Sequence, residues 1–231
     1  MDIIKGNIFT TKCSTIVNTV NCVGVMGAGI AYEFRLRYPV MYEKYKEHCR
    51  NNLIDIGKLW IYKSETDKKW ILNFPTKYHW RYPTKEEYLV KGLEKFVNTY
   101  NVKGIKSIAF PLLGASNGGL KEEQSLEIMK KYLDPIKDIK IEVYYFDPKA
   151  KDDLYIKFKH TFNNIGEKEL SRLSGIKINY IKKIKIALED DENNSLSSLL
   201  RVKGIGDVTL EKSFNFVMKY KDKNFNEYKL F

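Results

Sequence analysis

The stretch from Ile16 to Ile30 constrains the fold of this chain more than any other. It opens as an apolar, β-branched run, continues as a loop containing Gly24, Gly27 and Gly29, and then reads as a helix start. Such a strand–loop–helix unit is typical of α/β sheets, and its backbone N–H groups and helix dipole suit a diphosphate. The glycine spacing matches neither the dinucleotide fingerprint nor a Walker loop. We therefore predict a phosphate cradle, with a ligand-free tight turn as the simpler alternative.

Strand-like and helix-like segments alternate through the first 150 residues. Because alternating elements build a sheet covered by helices, this pattern predicts an α/β fold with a mixed sheet in three α/β/α layers. Pro39 is expected to break or kink the first helix, and Thr84 to cap the second. The predicted strands are residues 1–9, 15–20, 58–62, 70–74, 105–113 and 140–146, and the predicted helices are residues 29–50, 84–100 and 121–132.

A second unit is predicted over residues 151–231, after a boundary marked by Pro148 and a charged run. Its apolar residues recur at helical spacing, which predicts a small, basic, all-α domain. It contains a weak internal repeat, since residues 170–176 match residues 199–205 and each copy precedes an amphipathic helix.

The formal net charge of +11 favours a polyanionic partner such as nucleic acid or an acidic protein. Cys13, Cys22 and Cys49 form no CxxC pair and are odd in number, which predicts reduced thiols in a cytosolic protein. The three histidines show no metal-ligand spacing, so we expect no metal. No segment reads as a signal peptide or membrane span, and we expect a cytoplasmic monomer.

Three separated segments carry a resemblance to a known family. They are VNTVN followed by GVMGAGIA at 17–31, NFPTKYHWR at 73–81, and PLLGASNGGL at 111–120. Together they resemble macrodomains, which bind ADP-ribose. Within that family they are most similar to the bacterial DNA ADP-ribosyl glycohydrolases, the antitoxin partners of DNA-modifying ADP-ribosyltransferases.

The resemblance implies an ADP-ribose site. Asn7 stands where most macrodomains have an aspartate that accepts a hydrogen bond from adenine, and its amide oxygen can still accept one. Asn21 is expected to hydrogen-bond the distal ribose, and the two glycine-rich loops to hold the diphosphate. The full set implied to bind ADP-ribose is Asn7, Ile8, Asn21, Gly24, Val25, Met26, Gly27, Gly29, Ile30, Pro75, Thr76, Leu113, Gly114, Ala115, Ser116, Asn117, Gly118, Gly119 and Leu120.

The same resemblance implies that Lys77 is catalytic. Partial desolvation beside aromatic neighbours would favour its free amine, which could attack the ribose C1″ and form a Schiff base. A protonated Lys77 that only pairs with phosphate remains an alternative. His79 is a candidate proton donor or a hydrogen-bonded structural residue. Trp80 and Arg81 are candidates for contacting single-stranded DNA, although Trp80 could instead belong to the core.

The predicted function is removal of ADP-ribose from a nucleobase in single-stranded DNA, with no cofactor and with ADP-ribose as product. Residues 114–120 lack the aspartate of relatives that act on protein glutamate, and Ser116 replaces a glycine of the DNA-directed branch. The alternatives are a silent reader of ADP-ribosylated DNA or protein, a module that sequesters a toxin, and a hydrolase of ADP-ribosyl glutamate.

The second repeat copy, residues 202–209, follows the apolar-x-Gly-apolar-Gly pattern and resembles a helix-hairpin-helix turn. That resemblance implies DNA-phosphate contacts at Lys203, Gly204 and Gly206, supported by the Lys-rich residues 180–185. A plain packing unit and a surface for a partner ADP-ribosyltransferase toxin are the alternatives.

Overall fold

The computed structural model describes residues 1–147, 149–150, 152–190, 193, 195–199 and 202–220. It divides into two compact units, Met1–Asp147 and Pro148–Phe231, next to the predicted boundary at residue 150. Residues 200 and 201 of the second repeat copy, and residues 221–231 of the predicted second domain, lie outside the described residues.

The first unit is built on a six-stranded sheet in the order β1-β6-β5-β2-β4-β3. All neighbouring strands run parallel except β3, which pairs antiparallel with β4. The predicted mixed sheet is therefore confirmed. The strands are β1 (Asp2–Gly6), β2 (Thr15–Asn21), β3 (Trp60–Lys63), β4 (Trp70–Lys77), β5 (Ser107–Pro111) and β6 (Lys140–Phe146).

Helices cover both faces of this sheet, as predicted for a three-layer fold. The helices are α1 (Gly29–Arg37), α2 (Pro39–Arg50), α3 (Glu86–Thr99) and α4 (Glu122–Leu133). Ile16 and Ile71 of the sheet pack with Phe34 of α1 and with residues of α2 in one core cluster. The alternate strand residue Val17 packs with Leu93 of α3 and with residues of α4 in the other. Successive residues of one buried strand thus feed opposite cores.

The predicted helix over residues 29–50 is split at Pro39, as expected. α1 ends before Tyr38, and Pro39 is the first residue of α2, where its missing N–H costs no helical hydrogen bond. The first strand is shorter than predicted, because Asn7 caps a 3-10 turn at Ile8–Thr10 by accepting the N–H of Phe9 at 3.0 Å.

The prediction that Thr84 caps a helix is wrong. α3 begins at Glu86, and its N-cap Lys85 makes no side-chain cap bond. Thr84 is buried, and its N–H donates to the carbonyl of Gly118 at 2.8 Å. A contact with a segment more than thirty residues away thus overrides the local capping preference.

The described part of the second unit is helical, as predicted. A left-handed glycine lies in the turn before the following helix in each repeat copy, at Gly175 in the first (φ 67°) and at Gly204 in the second (φ 88°). The two copies therefore share this turn geometry. The helices are α5 (Asp153–Asn164), α6 (Glu167–Ser174), α7 (Ile178–Glu189), α8 (Leu196–Leu199) and α9 (Asp207–Lys219).

Candidate active site

The carboxyl ends of the five parallel strands lie along one edge of the sheet. We call residues 22–28, between β2 and α1, loop 1, and residues 112–121, between β5 and α4, loop 2. β5, β2 and β4 are neighbours, so loop 2, loop 1 and Lys77 at the end of β4 lie side by side. Asn7 follows β1, three strand spacings or about 14 Å from β2. This edge is where open α/β sheets bind ligands.

Loop 1 is organised by the side chain of Asn21. Its Oδ1 accepts the N–H groups of Val23 at 3.0 Å and Val25 at 3.3 Å, and its Nδ2 donates to the Val25 carbonyl at 2.5 Å. From below, the buried Tyr45 hydroxyl donates to the Asn21 carbonyl at 2.6 Å. The Asn21 amide therefore closes loop 1 onto itself. The ribose contact implied by the resemblance stays a prediction, and would have to be made alongside these bonds.

Loop 2 is held by backbone turns and by close packing on Thr84. The N–H of Gly118 donates to the Ala115 carbonyl at 2.9 Å, and Ser116 lies at a left-handed φ of 50°. A Cβ at Gly118 would lie 2.8 Å from Thr84 Oγ1, and one at Gly114 would lie 2.7 Å from Thr84 Cγ2. These two glycines are required because Thr84 occupies the space that a side chain would need.

The side chain of Lys77 reaches from β4 to loop 2. Its Nζ donates a hydrogen bond to the carbonyl of Asn117. Partial burial lowers the pKa of Lys77 below its ordinary value, because the ammonium loses hydration there. The Asn117 side chain lies beside the start of α1, directly after loop 1, since a Cβ at Gly29 would lie 2.5 Å from its Nδ2. Both glycine-rich segments and Lys77 thus converge at Asn117.

The residues after Lys77 form a turn with exposed aromatic rings. His79 accepts the Arg81 N–H on Nδ1 at 3.3 Å, and its ring stacks on Trp80 with centroids 5.5 Å apart. The Arg81 guanidinium lies 4.7 Å from the Trp80 ring centre. Trp80 is 46% exposed and so is not a core residue. His79 has a structural part in this turn, and its proton-donor role stays a prediction.

The remaining predicted ADP-ribose-binding residues fall into two groups. One group is buried or half-buried and shapes the edge of the sheet through packing: Ile8, Gly24, Met26, Ile30, Pro75, Thr76, Leu113, Ala115 and Leu120. The other group is exposed at the surface of the two glycine-rich segments: Val25, Gly27, Gly29, Ser116, Asn117 and Gly119. The exposed group is available for direct contact with a ligand.

A buried pair of amide side chains beneath loop 1 was not predicted from the sequence. Asn18 on β2 is in register with Asn73 on β4, and Asn18 Nδ2 donates to Asn73 Oδ1 at 2.9 Å. Asn18 Nδ2 also lies 3.9 Å from Sδ of Met26 in loop 1. Two asparagines within otherwise apolar strands were the available signal. Tyr45 gave no such signal beyond its place on the predicted helix.

In the second unit, we call the turn of the first repeat copy, residues 174–177, the first hairpin, and that of the second copy, residues 202–206, the second hairpin. The second hairpin carries the predicted DNA-contact residues. Gly204 forms the left-handed turn and Gly206 is the N-cap of α9, so Lys203 and both glycines lie in one turn. Lys183 of α7 approaches it, since a Cβ at Gly204 would lie 2.6 Å from the Lys183 amine. In the first hairpin, the Ile176 N–H donates to Ser174 Oγ at 3.3 Å. Cationic charge therefore gathers at the second hairpin.

Metal-ligating clusters and membrane-spanning helices are both absent from the described residues. Within them, no group of three or more His, Cys, Asp or Glu side chains could hold a metal ion. Among the helices of that same part of the chain, none is long and apolar enough to cross a membrane.

Comparison with known proteins identifies the first unit. The Macro domain family model matches residues 17–129. The DNA ADP-ribosyl glycohydrolase of Thermus aquaticus is 35% identical over 160 residues, which cover 68% of this chain and 44% of that protein. A DNA ADP-ribosyl transferase–DNA ADP-ribosyl glycohydrolase fusion protein of Thermosipho africanus is 30% identical over 161 residues, covering 62% of this chain and 41% of the fusion.

A solved structure agrees with these sequence matches. The macrodomain of Mycobacterium tuberculosis DarG is 36% identical and superposes with a TM-score of 0.60, covering 62% of this chain and 95% of that one. By contrast, the chain spans less than half the length of the curated relatives that it matches. The predicted macrodomain fold is therefore confirmed over the first unit, and the chain belongs to the Macro domain family.

Proposed function

We propose that this protein hydrolyses the bond between ADP-ribose and a nucleobase in single-stranded DNA. The observation that carries the proposal is the Lys77 amine, which donates to the Asn117 carbonyl of loop 2, while the Asn117 side chain lies beside Gly29 at the end of loop 1. The names of the curated relatives over the same unit support the substrate class.

The order of groups along the sheet edge supports a specific orientation of ADP-ribose. Adenine would lie near Asn7 and Ile8 at the end of β1, and the diphosphate would lie against the backbone N–H groups of loops 1 and 2. The distal ribose would lie next to Lys77 at the end of β4, four strand spacings or about 19 Å from β1. An extended nucleotide-sugar fits this linear arrangement.

In the proposed reaction, the free amine of Lys77 attacks C1″ of the distal ribose. The C1″–N bond to the base breaks, the base leaves with the bonding electrons, and it takes up a proton. Opening of the ribose ring gives a Schiff base between Lys77 and C1″, and water then adds to it, regenerating the amine and releasing ADP-ribose. The lowered pKa of Lys77 supports this step because it enlarges the free-amine fraction near neutral pH.

His79 is the proposed source of the proton for the departing base, and Trp80 and Arg81 would contact the adjoining strand. Hydrolysis of this kind needs only water and these side chains, so we propose that no metal or other cofactor takes part. The three cysteines are free and buried, in keeping with a reducing, cytoplasmic setting for the reaction.

We further propose a DNA ADP-ribosyltransferase toxin as the functional partner, because the Thermosipho africanus relative joins a transferase and a glycohydrolase in one chain. The second hairpin, with Lys203, Gly204, Gly206 and the nearby Lys183, would hold the phosphates of the modified strand.

The test is incubation with an ADP-ribosylated single-stranded oligonucleotide, followed by mass spectrometry. Wild type should restore the unmodified mass, and Lys77→Ala should leave the modification in place. Lys106→Ala is the matched control, because Lys106 is exposed and precedes β5 at the opposite edge of the sheet.

The outcomes separate the alternatives. Equal clearance by wild type and Lys77→Ala would eliminate the lysine mechanism. No clearance by wild type, with ADP-ribose still bound, would identify a reader. Clearance only of an ADP-ribosyl glutamate on a protein substrate would move the activity to another substrate class.

A further inference from the structure

A cavity of about 240 Å³ lies beside the proposed active site and has no part in the reaction described above. Its walls include Cys22 and Val23 of loop 1, the carboxyl end of α2 at Arg50, and Tyr78. Asp55, from the segment that follows α2, also lines the cavity. All of these residues belong to the first unit.

The cavity adjoins Lys77 but faces away from loop 2. Asn21 and Lys77 are paired in the sheet, and the next residues continue that pairing, since the Cys22 N–H donates to the Tyr78 carbonyl at 3.0 Å. Successive side chains along an extended segment point to opposite sides. Lys77 reaches Asn117 in loop 2, whereas Tyr78 lines the cavity beside α2. The proposed nucleophile, Lys77, and the ring that lines this second site, Tyr78, are therefore consecutive residues.

The chemistry of the walls suits a flat heterocycle. The thiols of Cys22 and Cys49 are buried, and burial together with the Asp55 carboxylate raises the pKa of Cys22 to about 12, so this wall is uncharged. Arg50 supplies hydrogen-bond donors and Asp55 supplies acceptors. The Tyr78 ring is 60% exposed and offers a stacking face. A bare phosphate would be repelled by Asp55, whereas a nucleobase edge carries both donors and acceptors.

The size of the cavity limits its occupant further. Pockets that enclose drug-sized ligands have volumes of roughly 300–1,000 Å³. At about 240 Å³, this cavity has room for a single ring system and not for a whole nucleotide. The sugar and phosphate of the bound nucleotide would remain outside the cavity, as they do when one base of a flexible strand enters a side pocket.

We propose that the cavity bounded by Tyr78, Arg50 and Asp55 binds the nucleobase next to the modified one. This inference rests on the proposed function. The modified base leaves from C1″ beside the Lys77 amine, on the loop 2 side of β4, so a base on the other side belongs to a neighbouring nucleotide. Tyr78 stacks on that base, and Arg50 and Asp55 read its edge. Because of this site, the enzyme prefers a modified strand over a modified mononucleotide. Its rate also depends on the base that flanks the modification.

The experiment compares kcat/KM on an ADP-ribosylated trinucleotide with kcat/KM on the ADP-ribosylated mononucleotide. Wild type should favour the trinucleotide. Tyr78→Ala should lower that preference about tenfold, the size expected for losing one base–aromatic stack, and Tyr78→Phe should retain it. Tyr82→Ala is the matched control, because Tyr82 is 65% exposed on the same segment but does not line the cavity.

Three results would overturn the subsite: no trinucleotide preference in wild type, an unchanged preference in Tyr78→Ala, or an equal loss in Tyr82→Ala. A binding measurement separates failure of the subsite from failure of the proposed hydrolysis. Tyr78→Ala should weaken the affinity for a fluorescently labelled, unmodified single-stranded pentanucleotide several-fold more than Tyr82→Ala. That result supports the subsite even when wild type hydrolyses neither substrate, and equal affinities of the two variants overturn it.

Discussion

Loop 1 and loop 2 look alike in sequence, since each follows a buried strand and precedes a helix, but different forces hold them. Loop 1 depends on polar bonds from one side chain, the Asn21 amide, with Tyr45 donating from below. Loop 2 depends on its own backbone turns and on the packing of Thr84 against Gly114 and Gly118.

This difference shows that glycines at matching places need not have the same purpose. In loop 1, a Cβ on Gly27 would meet only Val25, at 3.7 Å, so that glycine leaves open surface. In loop 2, Gly118 has no room for any side chain. One loop is therefore sensitive to the loss of hydrogen bonds and the other to added volume. Lys77 links both, because Cys22 Sγ approaches its carbonyl at 3.4 Å and its amine donates to Asn117.

The largest expected effect on activity follows from replacing Lys77, which contacts both loops. Lys77→Arg keeps a cation and a donor near the Asn117 carbonyl but cannot supply a free amine. We expect kcat on ADP-ribosylated DNA to fall roughly 1,000-fold, with a far smaller change in ADP-ribose affinity. Steady-state kinetics and calorimetry measure the two quantities, and near-normal turnover by the arginine variant would show that the positive charge alone suffices.

The pH profile of wild type provides the matching control. A nucleophilic amine must be deprotonated, so kcat/KM should rise as pH increases through the pKa of Lys77 and level off above it. Because burial lowers that pKa, the rise should lie below the ordinary lysine range. A rate that instead falls as Lys77 deprotonates would support the phosphate-pairing alternative.

Asn21→Ala tests the dependence of loop 1 on hydrogen bonds. It removes the partner of the Val23 and Val25 N–H groups and of the Val25 carbonyl. We expect the free energy of unfolding to fall by about 2 kcal/mol, since two part-buried N–H groups and one carbonyl lose their partner. Asn21→Asp keeps the acceptor and should lose less. Chemical denaturation measures the stability of both variants. A loss below about 1 kcal/mol for the alanine variant would show that loop 1 does not depend on the Asn21 hydrogen bonds.

Gly118→Ala tests the dependence of loop 2 on close packing, with Gly27→Ala in loop 1 as its counterpart. The new methyl at Gly118 would lie 2.8 Å from Thr84 Oγ1, and we expect it to cost about 2 kcal/mol of stability. The methyl at Gly27 should cost less than about 0.5 kcal/mol. In a Thr84→Ala background the Gly118→Ala penalty should drop by about half, and additive penalties would show that Thr84 is not the obstacle.

Local patterns predicted the parts of this fold that local physics determines. Strand–helix alternation gave the three layers, and the glycine-rich runs gave both loops. The prediction that Thr84 caps a helix is wrong because its N–H donates to the distant Gly118 carbonyl instead. The Tyr45 hydroxyl and its partner Asn21 are 24 positions apart on different elements. No periodicity encodes such a pair, so the hydrogen bond from Tyr45 to Asn21 could not be predicted from the sequence.

The smallest expected effect concerns the place where loop 2 departs from its resemblance. Ser116 occupies a glycine position of the DNA-directed relatives, and its backbone still adopts a left-handed φ of 50°. A non-glycine residue pays about 1 kcal/mol for that conformation, and glycine would relieve it while gaining freedom in the unfolded chain. Ser116→Gly should therefore stabilise the protein by at most about 0.5 kcal/mol, measured by denaturant titration. Loop 2 is stabilised by close packing and not by the Ser116 side chain, so Ser116→Ala should not increase stability. If Ser116→Ala stabilised the protein as much as Ser116→Gly, the serine hydroxyl and not the backbone would be the source of the strain.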